Sequence, residues 1–176
     1  MIEDPIIRIH DAFIMKLYGA FLLKFISDSH RHTYAAPQEI RSKHKMETPF
    51  LPGHKCYYYT NGEREYYDGY AGSKWAPGRE VVLLRGRPEW AMSYQGQHNE
   101  SYPDGFFENE VFPFLKKALM NFDESTPFRG PPSLEEGDFK YLFVIDGDYK
   151  YFTARESIFH KDTEKFFQDV MGGLIK

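Results

Sequence analysis

Apolar residues recur along this chain at two spacings, and the change from one to the other marks its elements. Over residues 11–28, Phe13, Leu17, Phe21 and Phe25, with Ile14, Leu22 and Ile26, stand three and four apart, the spacing of a helical face. Asp11 is placed to cap that helix at its start, and Asp28-Ser29 to end it. A second stripe, Phe107, Val111, Phe114, Leu115, Ala118, Leu119 and Phe122, predicts a helix over 106–122, in which Pro113 should start a new turn or kink the axis.

Elsewhere the period is two or the runs are short. Val81 to Leu84 reads as a fully covered strand, and Trp90, Met92 and Tyr94 alternate with Glu89, Ala91, Ser93 and Gln95 as a strand with one core face. Arg85-Gly86-Arg87-Pro88 turns between them, since Gly accepts positive φ and Pro belongs at a strand's first residue. Asn61-Gly62 between Cys56–Thr60 and Glu63–Tyr70 predicts another tight hairpin, with Tyr57 and Tyr59 opposite Tyr58, and Tyr66, Asp68 and Tyr70 opposite Tyr67. Tyr141–Ile145 and Tyr149–Phe152 flank an Asp146-Gly147-Asp148 turn, after a linker over 123–136. The stretch 37–55, with Pro37, Pro49 and Pro52-Gly53, has no period and is read as a long loop, either a binding lid or disordered. Residues 163–171 carry Phe166, Phe167, Val170 and Met171 at helical spacing behind Asp162, yet the register of the earlier hairpin favours strand.

That register comes from self-comparison. Displacing the chain by 76 residues lays Lys74, Arg79, Glu80 and Gly96 on Lys150, Arg155, Glu156 and Gly172, with Trp90 on Phe166. Upstream, Phe21-Leu22-Leu23-Lys24 matches Phe114-Leu115-Lys116-Lys117, and Tyr34-Ala35-Ala36-Pro37 matches Phe128-Arg129-Gly130-Pro131. The expected fold is α+β: one domain over 1–176, built by internal duplication of a helix plus antiparallel meander, with half-repeats at about 11–98 and 104–176 and helices on a curved sheet.

Composition narrows the function classes. The 176 residues can bury roughly 70% of the unfolded chain's surface without staples. Cys56 is alone, no basic-then-apolar leader opens the chain, and no run nears ~20 apolar residues, so a cytoplasmic protein with no membrane partner is expected. Net charge −4, from 22 basic and 26 acidic residues in mixed order, offers no footprint for nucleic acid. Aromatics make up 18%, with 13 Tyr and 16 Phe, which suits either an aromatic core or a cleft both apolar and hydrogen-bonding. The Asn99-Glu100-Ser101 triplet matches a glycosylation acceptor that an unexported chain would not use.

Phe21–Lys24, Thr33-Tyr34-Ala35, Tyr67-Asp68-Gly69-Tyr70-Ala71-Gly72, Glu80-Val81-Val82, Trp90–Gly96, Phe128–Pro131 and Gly172-Gly173-Leu174-Ile175 together resemble a bacterial family known as domain of unknown function 5680. Members occur alone or behind a helix-turn-helix domain of transcriptional regulators, so the resemblance implies a sensing or regulatory module and carries over no catalytic residue.

The candidate chemistry is sparse. No phosphate loop, nucleophile elbow or paired-Cys motif is present. His30-Arg31-His32 could share a strand face toward a metal, but no third ligand is placed by spacing; solvated histidines after a helix end are the expectation, and no metal or cofactor is assigned. Cys56 before three tyrosines reads as a buried thiol ahead of a nucleophile near a histidine, since nothing adjacent would lower its pKa, and His98 and Glu100 are read in the same way. Glu80 and Glu156, each behind an Arg, are expected as solvated pairs at strand entries; the sharper alternative makes them converge on a cleft, with Glu80 as acid or base beside a Tyr or His. The leading expectation is a module that binds a small molecule or peptide through Tyr59, Tyr66, Tyr70, Trp75, Arg79, Glu80, Trp90 and Tyr94, ahead of a small enzyme or an aromatic homodimer face.

Overall fold

Eight antiparallel strands form one open sheet with three helices in the computed structural model, an α+β architecture rich in β. It describes residues 5–73, 75–98, 103, 105–121, 126 and 128–176, with side chains from Met15 onward. The helices are α1 (Pro5–His30), α2 (Gln38–His44) and α3 (Phe112–Met120), the last preceded by a π-helical turn at Phe107–Val111. The strands are β1 (Lys55–Asn61), β2 (Arg64–Tyr70), β3 (Gly78–Leu84), β4 (Arg87–His98), β5 (Ser133–Glu136), β6 (Phe139–Asp148), β7 (Tyr151–His160) and β8 (Thr163–Leu174).

Strands lie in the order β1-β2-β3-β4-β8-β7-β6-β5, so two four-stranded meanders, each following a helix, meet where β4 pairs with β8. Leu22, Phe25 and Ile26 of α1 and Phe114, Leu115, Ala118 and Leu119 of α3 share one core with inward strand residues such as Tyr66, Val82, Trp90, Met92, Tyr141, Phe152, Ile158 and Val170. The β3–β4 turn has Arg85 and Gly86 at φ 52° and 71°, and the β7–β8 turn has Lys161 and Asp162 at 50° and 60°. Two positive φ values in a row match the twist of the flanking strands. Each hairpin also slips register once, between Val82 and Leu83 and between Ile158 and Phe159.

Several elements differ from expectation. Helix α1 begins six residues before Asp11, because Pro5 suits a first helical position; the side chains of Asp11, Phe13 and Ile14 lie outside the described residues, as do Phe122 and Asn99-Glu100-Ser101. Leu17 and Phe21 are exposed, so the buried stripe is the one through Leu22 and Ile26. The stretch 37–55 is not structureless: it holds α2, and Met46 donates its N–H to the Cys56 carbonyl at 2.8 Å. Of Val81–Leu84 Val82 is fully buried and the others half-covered, since the strand has one core face. The β1–β2 turn centres on Gly62-Glu63 because Asn61 already pairs with Arg64. Strand β6 runs through Asp146–Asp148, and the turn falls on Tyr149-Lys150, where Asp148 Oδ1 accepts the Lys150 N–H at 2.8 Å. The supposed linker ends in edge strand β5, and Pro113 opens α3 after the π-turn. Residues 163–171 are strand.

Candidate functional site

Alternation along a strand sends neighbouring residues to opposite faces, and this separates each Arg-Glu step. Arg79 is exposed on the outer face while Glu80 is buried; Arg155 likewise lies outside, paired with Glu164 and Asp169, while Glu156 is fully buried. The expected solvated pairs are therefore not formed. On the inner face Asp68 of β2 stands opposite Glu80 of β3, and Glu156 of β7 stands opposite Gln168 of β8.

Two residues from outside the sheet knit these together. Arg129, in the segment ahead of β5, donates Nε and Nη2 to the two oxygens of Glu156 at 3.1 and 2.9 Å, and Nη1 to Glu80 at 3.3 Å. His30, the last residue of α1, meets the other Glu80 oxygen at 2.8 Å. Tyr141 donates its hydroxyl to Glu156 at 2.6 Å, and Gln168 also donates to Glu156. Glu156 is saturated. Asp68 is less well supplied: the Tyr94 hydroxyl donates to it at 2.7 Å, and among the described residues no other donor reaches its side chain.

Burial without its own cation pushes the Asp68 carboxyl up to about 7, the Glu80 charge adds to that, and the Tyr94 bond, His30 and Arg129 offset it in part. Burial also acts on Glu80, but His30, Arg129 and Tyr66 outweigh it and hold its carboxyl below the ordinary range. Burial likewise raises Tyr34, to about 12, and lifts Tyr66 and Tyr94 well above the ordinary phenol value. All three stay protonated donors at neutral pH.

A cavity opens beside Asp68. Its floor is Asp68, Glu80, His30, Arg129 and Gln168; its walls include Tyr34, Tyr66, Tyr70, Tyr94, Phe112, Leu115 and Phe166; Ser73 and Ala76 stand at the mouth. The space measures about 600 Å³ with its open mouth, of which about 50 Å³ admits the centre of a water-sized molecule. At ~10–15 Å³ per water centre, that is room for a few waters or one small polar group. His30 Nδ1, buried on this lining, has no hydrogen-bond partner among the described residues.

Of the residues singled out in the sequence, Tyr66, Tyr70, Glu80 and Tyr94 line this cavity. Tyr59 does not: it stacks on His32 at 4.5 Å and touches Phe25. Trp90 is core, beside Phe128 and Phe152, with Nε1 donating to the Tyr149 carbonyl at 3.1 Å. Trp75 and Arg79 are exposed. His30, expected in solvent, is buried because α1 continues past Asp28. Asp68, Arg129, Tyr34 and Gln168 carry no motif in the sequence, although alternation sets Asp68 on the face of Tyr66 and Tyr70.

Among the described residues no group of three His, Cys, Asp or Glu side chains is placed to hold a metal ion, and no helix is long and apolar enough to cross a membrane. No curated protein and no solved structure matches the chain. A family profile does, over residues 68–175, a span that opens on Asp68 and takes in Glu80, Tyr94, Arg129, Glu156 and Gln168. The chain belongs to the family described as domain of unknown function (DUF5680).

Proposed function

We propose that this chain is a small-molecule binding module whose site is the cavity at Asp68. The observation that carries this is bonding capacity left over on its lining: among the described residues Asp68 has one donor and His30 Nδ1 no partner. Buried polar atoms are nearly always paired, as in the Arg129–Glu156 pair; the ring nitrogens of His98, also unpartnered among the described residues, lie off this cavity, so the weight rests on Asp68 and His30 lining the same space. The ligand fitting this lining is compact, offers a donor to Asp68, and has an apolar side for Phe112, Leu115 and Phe166; a peptide could enter by one side chain at most.

Internal duplication accounts for where the site lies. Turn for turn and bulge for bulge the two hairpins correspond, so Glu80 and Glu156 occupy equivalent places on either side of Arg129. Opposite Glu80 stand Asp68 and Met92; opposite Glu156 stand Phe143 and Gln168. The first half thus carries the spare carboxylate, and the second half anchors Arg129.

A melting-temperature screen against small amines, amides, alcohols and amino acids tests the reading. A ligand at about 100 times its Kd adds ~2.7 kcal/mol, a rise of roughly 5–10 °C for a chain of this size. The variant Ala76→Trp, which plugs the mouth without touching the charged floor, should fold and lose the response. A flat screen, or hits shared by Ala76→Trp, would count against a site here.

A second reading, acid/base catalysis, is favoured by one observation: Asp68, its carboxyl pushed up to about 7 by burial, stands opposite Glu80, which is bonded to His30. In that case the base is Asp68 rather than Glu80, whose charge is already committed to His30 and Arg129.

A further inference from the structure

Just outside the cavity, three separate elements bring four cations around one depression. Arg41 comes from α2, Lys45 from the residue after it, Lys55 from the start of β1 and Lys116 from α3; Gln38, Ser42, Tyr34, Tyr57 and Tyr70 complete the lining. The depression offers about 270 Å³ to the centres of water-sized molecules, and among the described residues no carboxylate lines it. Among the described residues none of the four cations forms a salt bridge that would neutralise it, as Glu136 does Lys117 beside Lys116 on α3.

Aromatic rings hold two of them, and Arg41 is held by Gln38, whose Oε1 accepts from its Nε at 2.8 Å and from its Nη2. Lys116 Nζ lies 5.1 Å from the centre of the Tyr34 ring and Lys55 Nζ 5.7 Å from that of Tyr70. A cation over a ring face is positioned but not neutralised, so its charge is still available. Burial, with Arg41 and Lys55 close by, also lowers the Lys116 ammonium below the usual lysine range. Like charges at this spacing repel, and a single bound anion converts that repulsion into attraction.

We infer that the depression formed by Arg41, Lys45, Lys55 and Lys116 is an anion-binding site for a phosphate group. Several cations around one pocket suit a dianion better than a monocarboxylate, because each added cation counts twice against two charges. The cations line one compact depression, whereas a nucleic-acid backbone needs an extended strip, and the chain's net charge of −4 also disfavours such a partner. Tyr34 and Tyr70 line both this depression and the cavity, so a phosphorylated small molecule anchored here would direct its remainder toward Asp68. The anion site itself stands on the four cations and does not depend on anything binding in the cavity.

The test uses inorganic phosphate on the full chain. Melting temperature is followed in orthophosphate and in sodium chloride of equal ionic strength, for the natural protein and for an Arg41→Gln, Lys55→Gln double variant. A site with a Kd of about 5 mM predicts a gain of about 3 °C at about 50 mM phosphate over the chloride control. Phosphate also stabilises proteins by general exclusion, which the double variant shares, so the gain must vanish there. Both side chains are partly or wholly exposed, so the variant keeps its fold. Equal gains in both proteins, equal protection by chloride or acetate, or binding of duplex DNA with no response to orthophosphate would each overturn the assignment. If phosphate protects while the ligand screen stays flat, the anion site holds and the cavity reading falls.

Discussion

Arg129 is the residue on which most of the buried charge depends. It faces Glu156 through two parallel bonds and touches Glu80 with its third nitrogen, with all three side chains buried. Removing it leaves two carboxylates buried without that cation, so Arg129→Ala is expected to cost roughly 3–5 kcal/mol in urea unfolding. Gln168→Leu should cost less, about 1–2 kcal/mol, because Arg129 and Tyr141 still serve Glu156. Asp68 behaves differently. Its folded carboxyl is raised from 3.8 to about 7, so the native state holds its proton where the unfolded chain has lost it. Stability from this group is full below about pH 4 and is lost as pH rises through about 7. Asp68→Asn should therefore gain on the natural protein between pH 5 and pH 8, by on the order of 2–4 kcal/mol in chemical denaturation. A constant difference across that range would show that Asp68 carries no raised titration.

At the scale of elements, the two hairpin turns share one geometry but not one chemistry. Arg85-Gly86 has Gly at its second left-handed position, whereas Lys161-Asp162 holds two side-chain residues there. Asp162→Gly should stabilise by roughly 0.5–1 kcal/mol, read from the urea midpoint. Gly172, at the β4–β8 seam, is the reverse case: a Cβ there would meet the Ala91 carbonyl oxygen at 2.5 Å, so Gly172→Ala should destabilise measurably in the same assay. Strands and helices were largely legible because spacing reports which face is covered, as at Trp90-Met92 and at Phe114-Leu115-Ala118-Leu119. Their limits were less so. Asn61 and Asp146–Asp148 look like turn residues, yet pairing with Arg64 and with Tyr151–Thr153 keeps them in strands. Short α2 escaped notice because seven residues with no buried position leave no apolar period.

At the scale of the molecule, the sheet is two meanders joined at β4–β8, and the candidate site lies on their shared inner face beneath α1 and α3. Half of the site could be read in the sequence: strand alternation puts Tyr66, Asp68, Tyr70 and Glu80 toward the helices and Arg79 away from them. Its other half could not, since His30, Tyr34 and Arg129 arrive from a helix end and from connecting segments whose course no local period encodes. Aromatic content misled as well: Trp90 is core and Trp75 is exposed, and neither lines the cavity. The functional account turns on Asp68 being a buried carboxylate held ready at that cavity, and the measurement that addresses it most directly is a carbon-13 NMR titration of its side-chain carboxyl. The account predicts a midpoint near 7 in the free protein, shifted when a ligand found in the melting screen is added. A midpoint near 4, the value of a solvated aspartate, would contradict it.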